Sequence, residues 1–205
     1  MKKLFTILLL TACSFSVFSQ QKGSLEFGLN TGVNFATVQS ESATNTKFRT
    51  GLNVGVFGDY FFSDRWSIKA KLSYDQKGWN RGFIIDLDKN QTAVTDYHFD
   101  YLTIPVMANW HFGKTRNWYL NFGPYAGVLL SAKETALNRD LKDFSKSLDL
   151  GLALGIGVKI PVADRVKIIL EADGQGGLTD ILKNNQGSTI RNSRSSLNAG
   201  VAFSL

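Results

Sequence analysis

Along most of the chain, apolar and polar side chains alternate with a period of two. This is the spacing of β-strands that turn one face to an apolar medium and the other to a polar one. In Trp66-Ser-Ile-Lys-Ala-Lys-Leu-Ser-Tyr74 every even position is apolar or aromatic, and the odd ones are Ser67, Lys69, Lys71 and Ser73. The run from Leu148 to Ile160 keeps the same parity, with large aliphatics on even positions and Asp149, Gly151, Ala153, Gly155, Gly157 and Lys159 on odd ones. A soluble sandwich would also alternate. Here bulk falls on one face while glycines and charges share the other, as expected when outward side chains meet lipid and inward ones share a narrow lumen.

Eight such segments can be counted, near 24–36, 49–62, 66–79, 96–112, 118–134, 148–162, 166–181 and 194–205. Their connections alternate: 63–65, 113–117 and 163–165 are short, whereas 37–48, 80–95, 135–147 and 182–193 are longer and polar. The pattern predicts an all-β fold, an eight-stranded antiparallel up-and-down transmembrane β-barrel in a Gram-negative outer membrane. Both termini are expected in the periplasm, where such barrels place their short turns.

Trp66, Trp110 and Trp118 lie beside the short turns with Tyr60, Phe62 and Phe112, which predicts an aromatic girdle at that membrane face. Tyr74, Trp79, Phe99 and Tyr101 are the expected opposite girdle. The last strand, Leu197-Asn-Ala-Gly-Val-Ala-Phe-Ser-Leu205, is apolar on its odd positions to the end. It resembles the C-terminal signal read by the outer-membrane assembly machinery, with Leu205 where Phe is more usual and Phe203 two residues before it.

The first segment differs. Lys2 and Lys3 precede the apolar run Leu4 to Leu10 and small residues follow, the layout of a secretory signal over 1–19, with the barrel domain over 20–205. Leu10-Thr-Ala-Cys13 also fits the lipobox that directs lipid to a cysteine, so lipidation at Cys13 and cleavage near Ser19 are both open readings. Removing Lys2 and Lys3 from 23 basic residues leaves 21 against 17 acidic ones, a net charge of +4. These charges alternate along the chain without forming a patch, which speaks against nucleic acid as a partner.

Tyr101-Leu-Thr-Ile-Pro-Val106, Phe122-Gly-Pro-Tyr-Ala-Gly-Val-Leu-Leu-Ser-Ala-Lys133, Asp149-x-Gly151 and Leu178-Thr-Asp-Ile181 resemble the PorT-like family of outer-membrane β-barrels, over essentially the whole mature chain. The resemblance implies the barrel fold. Some members are implicated in secretion across the outer membrane, but the family covers many roles. Pro105 and Pro124 fall almost opposite each other if the fourth and fifth strands pair symmetrically about Thr115. Proline is unusual inside a paired strand, so the spacing predicts either a bulge there or two gaps in the ladder.

Parity predicts an inner wall containing Asp59, Lys69, Lys71, Asp149, Lys159, Glu171 and Asp173, with Glu26, Asn34, Asp75, Asn109, His111 and Asn121 beside them. About a turn centred on Asp64, Asp59 and Lys69 become direct cross-strand partners, and Lys159 reaches Glu171 diagonally across the third turn. Charges enclosed in so small a barrel must be paired or hydrated, so a structural plug is expected, with a narrow polar conduit as the alternative.

Candidate chemistry is sparse. His98 has outward parity near the loop end of its strand, where a lipid-modifying enzyme would place its histidine, but no serine or acid can be set beside it from sequence. Asp86-Leu-Asp-Lys-Asn90 is similar to the start of a calcium loop, but Gln91 and Tyr97 stand where Gly and the bidentate Glu are needed. Two histidines and one cysteine cannot assemble a zinc site, and no cofactor is expected. The expected protein is a non-enzymatic barrel acting through its outer loops in a structural, adhesive or assembly role. The alternative is a small channel or secretion subunit. Its expected partners are outer-membrane lipids, the barrel assembly machinery during insertion, and envelope proteins.

Overall fold

A computed structural model describes residues 22–40, 46–86, 91–185 and 187–205. The predicted signal over 1–19, with Cys13, and most of the calcium-like loop lie outside the described residues. Eight strands follow in chain order: β1 (Leu25–Gln39), β2 (Lys47–Phe61), β3 (Trp66–Asp86), β4 (Gln91–Phe112), β5 (Trp118–Glu134), β6 (Leu148–Ala163), β7 (Val166–Gly177) and β8 (Arg191–Ser204). Each pairs antiparallel with its chain neighbours, and β1 pairs with β8 to close the ring. Closure leaves no strand edge to face hydrocarbon, where an unpaired N–H or C=O would cost several kcal/mol.

The outer wall carries Leu29, Val33, Leu52, Val54, Val56, Ile68, Leu152, Leu154 and Leu170 exposed, an apolar belt around the ring. The registers centre the three short turns on Asp64, Thr115 and Asp164 (Asp59 faces Lys69, Asn109 faces Asn121, Gly157 faces Glu171). At that end Arg116 reaches from one turn to Asp64 in the next at 3.3 Å.

The strand ends depart from the sequence expectation in two places. The segment 80–95 is largely not a loop: β3 and β4 run 21 and 22 residues and continue as a hairpin, pairing Phe83 with Val94 and Ile84 with Ala93. Its β-branched and aromatic side chains favour pairing over a coil. A register shift between Trp79 and Gly82 bends the hairpin at its root, where Gly78 has φ +124° and a Cβ would sit 2.0 Å from the Tyr97 carbonyl oxygen. In turn β7 ends at Gly177, short of Ile181, because paired glycines add no side-chain contacts to hold the ladder.

The prolines decide between the two readings of their spacing. Pro105 faces Tyr125, and the register is the same on both sides of the unpaired stretch, so there is no bulge at the prolines. The shift in this pair lies instead between Asp100 and Tyr101. Gly123 explains the tight stretch: a Cβ there would meet the Val106 carbonyl oxygen at 2.1 Å and Met107 Cα at 2.8 Å.

Candidate functional site

The inner wall is where charge concentrates. Alternation turns Glu26, Asp59, Lys69, Lys71, Asp75, Lys77, Asp149, Lys159, Lys167, Glu171 and Arg194 inward from six strands, and all are buried. Near the short turns Lys159 binds Glu26 at 2.6 Å and Asp59 at 2.7 Å, and Lys167 also binds Glu26. Midway, Lys69 binds Glu171 at 2.7 Å, and Glu171 accepts from the Tyr119 hydroxyl at 2.6 Å and the Asn121 amide at 2.9 Å.

Further toward the long loops, Arg194 reaches Asp173 at 2.9 Å and Asp75 at 3.4 Å, while Ser196 and Asn198 also donate to Asp173, each at 2.9 Å. Above them Lys77 meets Asp149 at 3.1 Å, which accepts from Tyr125 at 3.2 Å and Asn192 at 2.9 Å. Lys71 lies in the same wall with no carboxylate at ion-pair distance among the described residues.

The pairings differ from those expected. Asp59 and Lys69 are in register, but each binds across the lumen instead, Asp59 to Lys159 and Lys69 to Glu171, and Lys159 does not bind Glu171. In a narrow barrel an ammonium on a four-carbon stem reaches the far wall, where a carboxylate and an aromatic face are both within range. Lys159 sits 4.9 Å from the centre of the Phe61 ring, Lys69 5.0 Å from Phe57, and Lys77 4.5 Å from Tyr125. Sequence reasoning missed Lys77, Arg194, Tyr119 and Tyr125 as members of this wall. The signal was present, since each continues the inward parity of its strand.

The tryptophans Trp66, Trp110 and Trp118 and the tyrosine Tyr60 face outward near the short turns, and Tyr74 faces outward in the upper half. Trp79, Phe99 and Tyr101 do not. They are 6%, 0% and 0% exposed and stack inside the barrel, with ring centres 5.5 Å apart for Trp79 and Phe99 and 6.5 Å apart for Phe99 and Tyr101. The inward parity that holds Asn109 and His111 inside continues unbroken along β4 and carries Phe99 and Tyr101 with it.

On this aromatic stack rests a lid. Ile181, 1% exposed, packs with Val38, Trp79, Phe99, Tyr101, Leu129 and Ala132, and Leu141, Leu182 and Ile190 cover it. A 3-10 turn at Lys142–Phe144 and a bridge between Ser145 and Leu182 tie the two loops together. Carboxylates fold both: Glu134 accepts from the N–H groups of Ala136, Leu137 and Arg139, and Asp180 from those of Leu182 and Ile190 and from the Asn185 amide. Burial alone would raise the Asp180 carboxyl, but these donors, with Lys146 nearby, outweigh it and hold it below the usual carboxylate range.

His98 faces Gly78 on one side and Lys133 on the other, with no hydrogen-bonded serine among the described residues. A Ser–His contact does exist, Ser67 Oγ to His111 Nε2 at 2.9 Å, but both residues are fully buried in the inner wall, where a substrate cannot reach them. Among the described residues no cluster of His, Cys, Asp and Glu could hold a metal ion.

The profile of the outer membrane protein beta-barrel domain matches residues 18–183. The chain belongs to that family. The match is to the general barrel domain and does not single out PorT-like members. No curated protein matches the chain. Among solved structures, OprG of Pseudomonas aeruginosa is similar at TM-score 0.57 and 9% identity, over 91% of this chain and 98% of its own. Neisserial surface protein A is similar at TM-score 0.51 and 16% identity, over 86% and 96% of the two chains. AlkL, solved in lipid bilayers, is similar at TM-score 0.50 and 10% identity, over 90% and 91%. At such identities the likeness is one of fold. This member of the family is an integral outer-membrane β-barrel whose lumen is lined by ion pairs and covered by an apolar lid.

Proposed function

We propose that this barrel is non-enzymatic and non-conducting, stands with its long loops outside the cell and both termini in the periplasm, and acts through its long-loop surface as an adhesive, structural or assembly component. The observation that carries this reading is the closure of the lumen: crossing ion pairs fill it, and Ile181 with its neighbours covers the long-loop mouth. An ion entering would have to displace both. A surface open to a partner is the β3–β4 arm, whose Phe83, Ile85 and Val94 are 61%, 59% and 58% exposed on one face. From Gly82 to Asp86 it extends about 13 Å at the usual strand rise. Outer-membrane lipids surround the belt in this reading, and the assembly machinery reads the strand ending in Phe203 and Leu205.

Planar-bilayer recordings test the closure, with no sustained open current expected. Robust currents abolished by a bulky side chain at Gly155, whose Cβ would point at Asn121, would overturn it. Cysteine labelling tests the orientation: a cysteine at Lys142 should react on intact cells and one at Lys114 only after the outer membrane is breached. Crosslinking from Phe83 and Val94 in cells then identifies the partner, and recovery of secretion components would move the role to a secretion apparatus.

A further inference from the structure

The outer wall is not uniformly bulky. On β6 the outward side chains are Leu150, Leu152, Leu154 and Ile156, whereas outward positions on the adjacent long-loop half of β7 are Ala172, Gly174 and Gly176. The result is a groove of about 1290 Å³ on the lipid side, walled by Leu152 and Leu154 on one flank and by Phe35 and Leu197 on the other. Its upper end is polar, formed by Gln39, Arg191 and Ser193.

Neither glycine of the floor is required by the backbone. Both have ordinary φ, a Cβ at Gly176 would meet nothing within 4 Å, and one at Gly174 would meet nothing nearer than 3.8 Å. Their missing side chains therefore create open space and relieve no clash. Arg191 at the rim is exposed and makes no ion pair among the described residues.

An occupant must match both ends, apolar along the floor and anionic at the rim. The floor is one strand wide, about 10 Å from β6 to β8. That width admits extended hydrocarbon lying along the strands, but is tight for a helix about 10–12 Å across with its side chains. From Leu197 to Arg191 the groove rises about 20 Å, on the order of an acyl chain topped by its headgroup. We propose that the groove binds one anionic lipid of the outer leaflet, with an acyl chain over Ala172, Gly174 and Gly176 and its phosphate against Arg191. The leaflet rests on the orientation proposed above; the site itself does not.

Native mass spectrometry of the full-length barrel in micelles, incubated with dimyristoyl phosphatidylglycerol or dimyristoyl phosphatidylcholine, tests the site. One lipid should be retained, with the anionic one favoured about fivefold, the factor expected for one basic side chain near a charged headgroup. Arg191→Gln should remove the preference. Gly174→Leu with Gly176→Leu should abolish retention of both lipids while the barrel still folds, as its heat-modifiable gel mobility reports. Equal retention by wild type and the double leucine variant would overturn the proposal. So would efficient disulfide-linked dimers of Gly174→Cys in membranes, which would give the groove to a second copy. Failure of the Lys114 and Lys142 labelling pattern would change only the leaflet.

Discussion

Replacing Lys159 by methionine isolates what the inner ion pairs contribute. Lys159 is fully buried and holds Glu26 at 2.6 Å and Asp59 at 2.7 Å. Methionine keeps most of the stem and its contact with the Phe61 ring, so packing changes little and the charge alone is removed. Glu26 would still have Lys167. Asp59 would keep the Asn109 amide at 3.1 Å but lose the one cation in ion-pair contact with it among the described residues. Breaking one side of a buried pair costs about 3–5 kcal/mol, most of it the penalty of the charge left behind. Urea unfolding in lipid vesicles, followed by tryptophan fluorescence and by gel mobility, should register a loss of that size for Lys159→Met. Adding Asp59→Asn should recover more than half of it, because the stranded charge disappears while Asn109 can still donate. A loss below about 1 kcal/mol, or no recovery in the double variant, would refute the account of the lumen as a charge-paired plug.

Two further outcomes follow from the geometry. Gly123→Val should destabilise the barrel at or above the about 1–3 kcal/mol typical of overpacking, since its Cβ would strike β4 backbone, whereas Gly58→Ala, with open space around it, should stay within about 0.5 kcal/mol in the same urea titration. The Asp180 carboxyl is held below its ordinary value in the folded lid. Its contribution is therefore fully present above the unfolded-state pKa of about 4 and is lost as pH falls through the lower folded value. Hydrogen-exchange protection of the Leu182 and Ile190 amides, corrected for intrinsic rates, should drop in that acid range; Asp180→Asn should lower it at neutral pH and flatten the dependence.

How much of this was legible in the sequence depends on the range of the interaction. Strand number, the alternation of short turns with long connections, and the inward placement of Asp59, Lys69, Asp149 and Glu171 follow from a period of two and from turn spacing, both local. Parity could also have placed Trp79, Phe99 and Tyr101 inside; reading aromatic rings near a strand end as a membrane girdle overrode it. The β3–β4 arm was hidden because polar residues among Phe83, Ile85 and Val94 look like a loop until a partner strand is supplied.

What the tertiary structure alone decided is who meets whom across the lumen. Lys159 and Asp59 are 100 residues apart, and Lys69 and Glu171 are 102 apart. Such pairs depend on barrel width and strand stagger, which a ring sets only when it closes. The lid obeys the same rule. Nothing near Ile181 marks it as a plug, and it becomes one because closure brings an aromatic stack from β3 and β4 beneath a loop that begins where β7 ends.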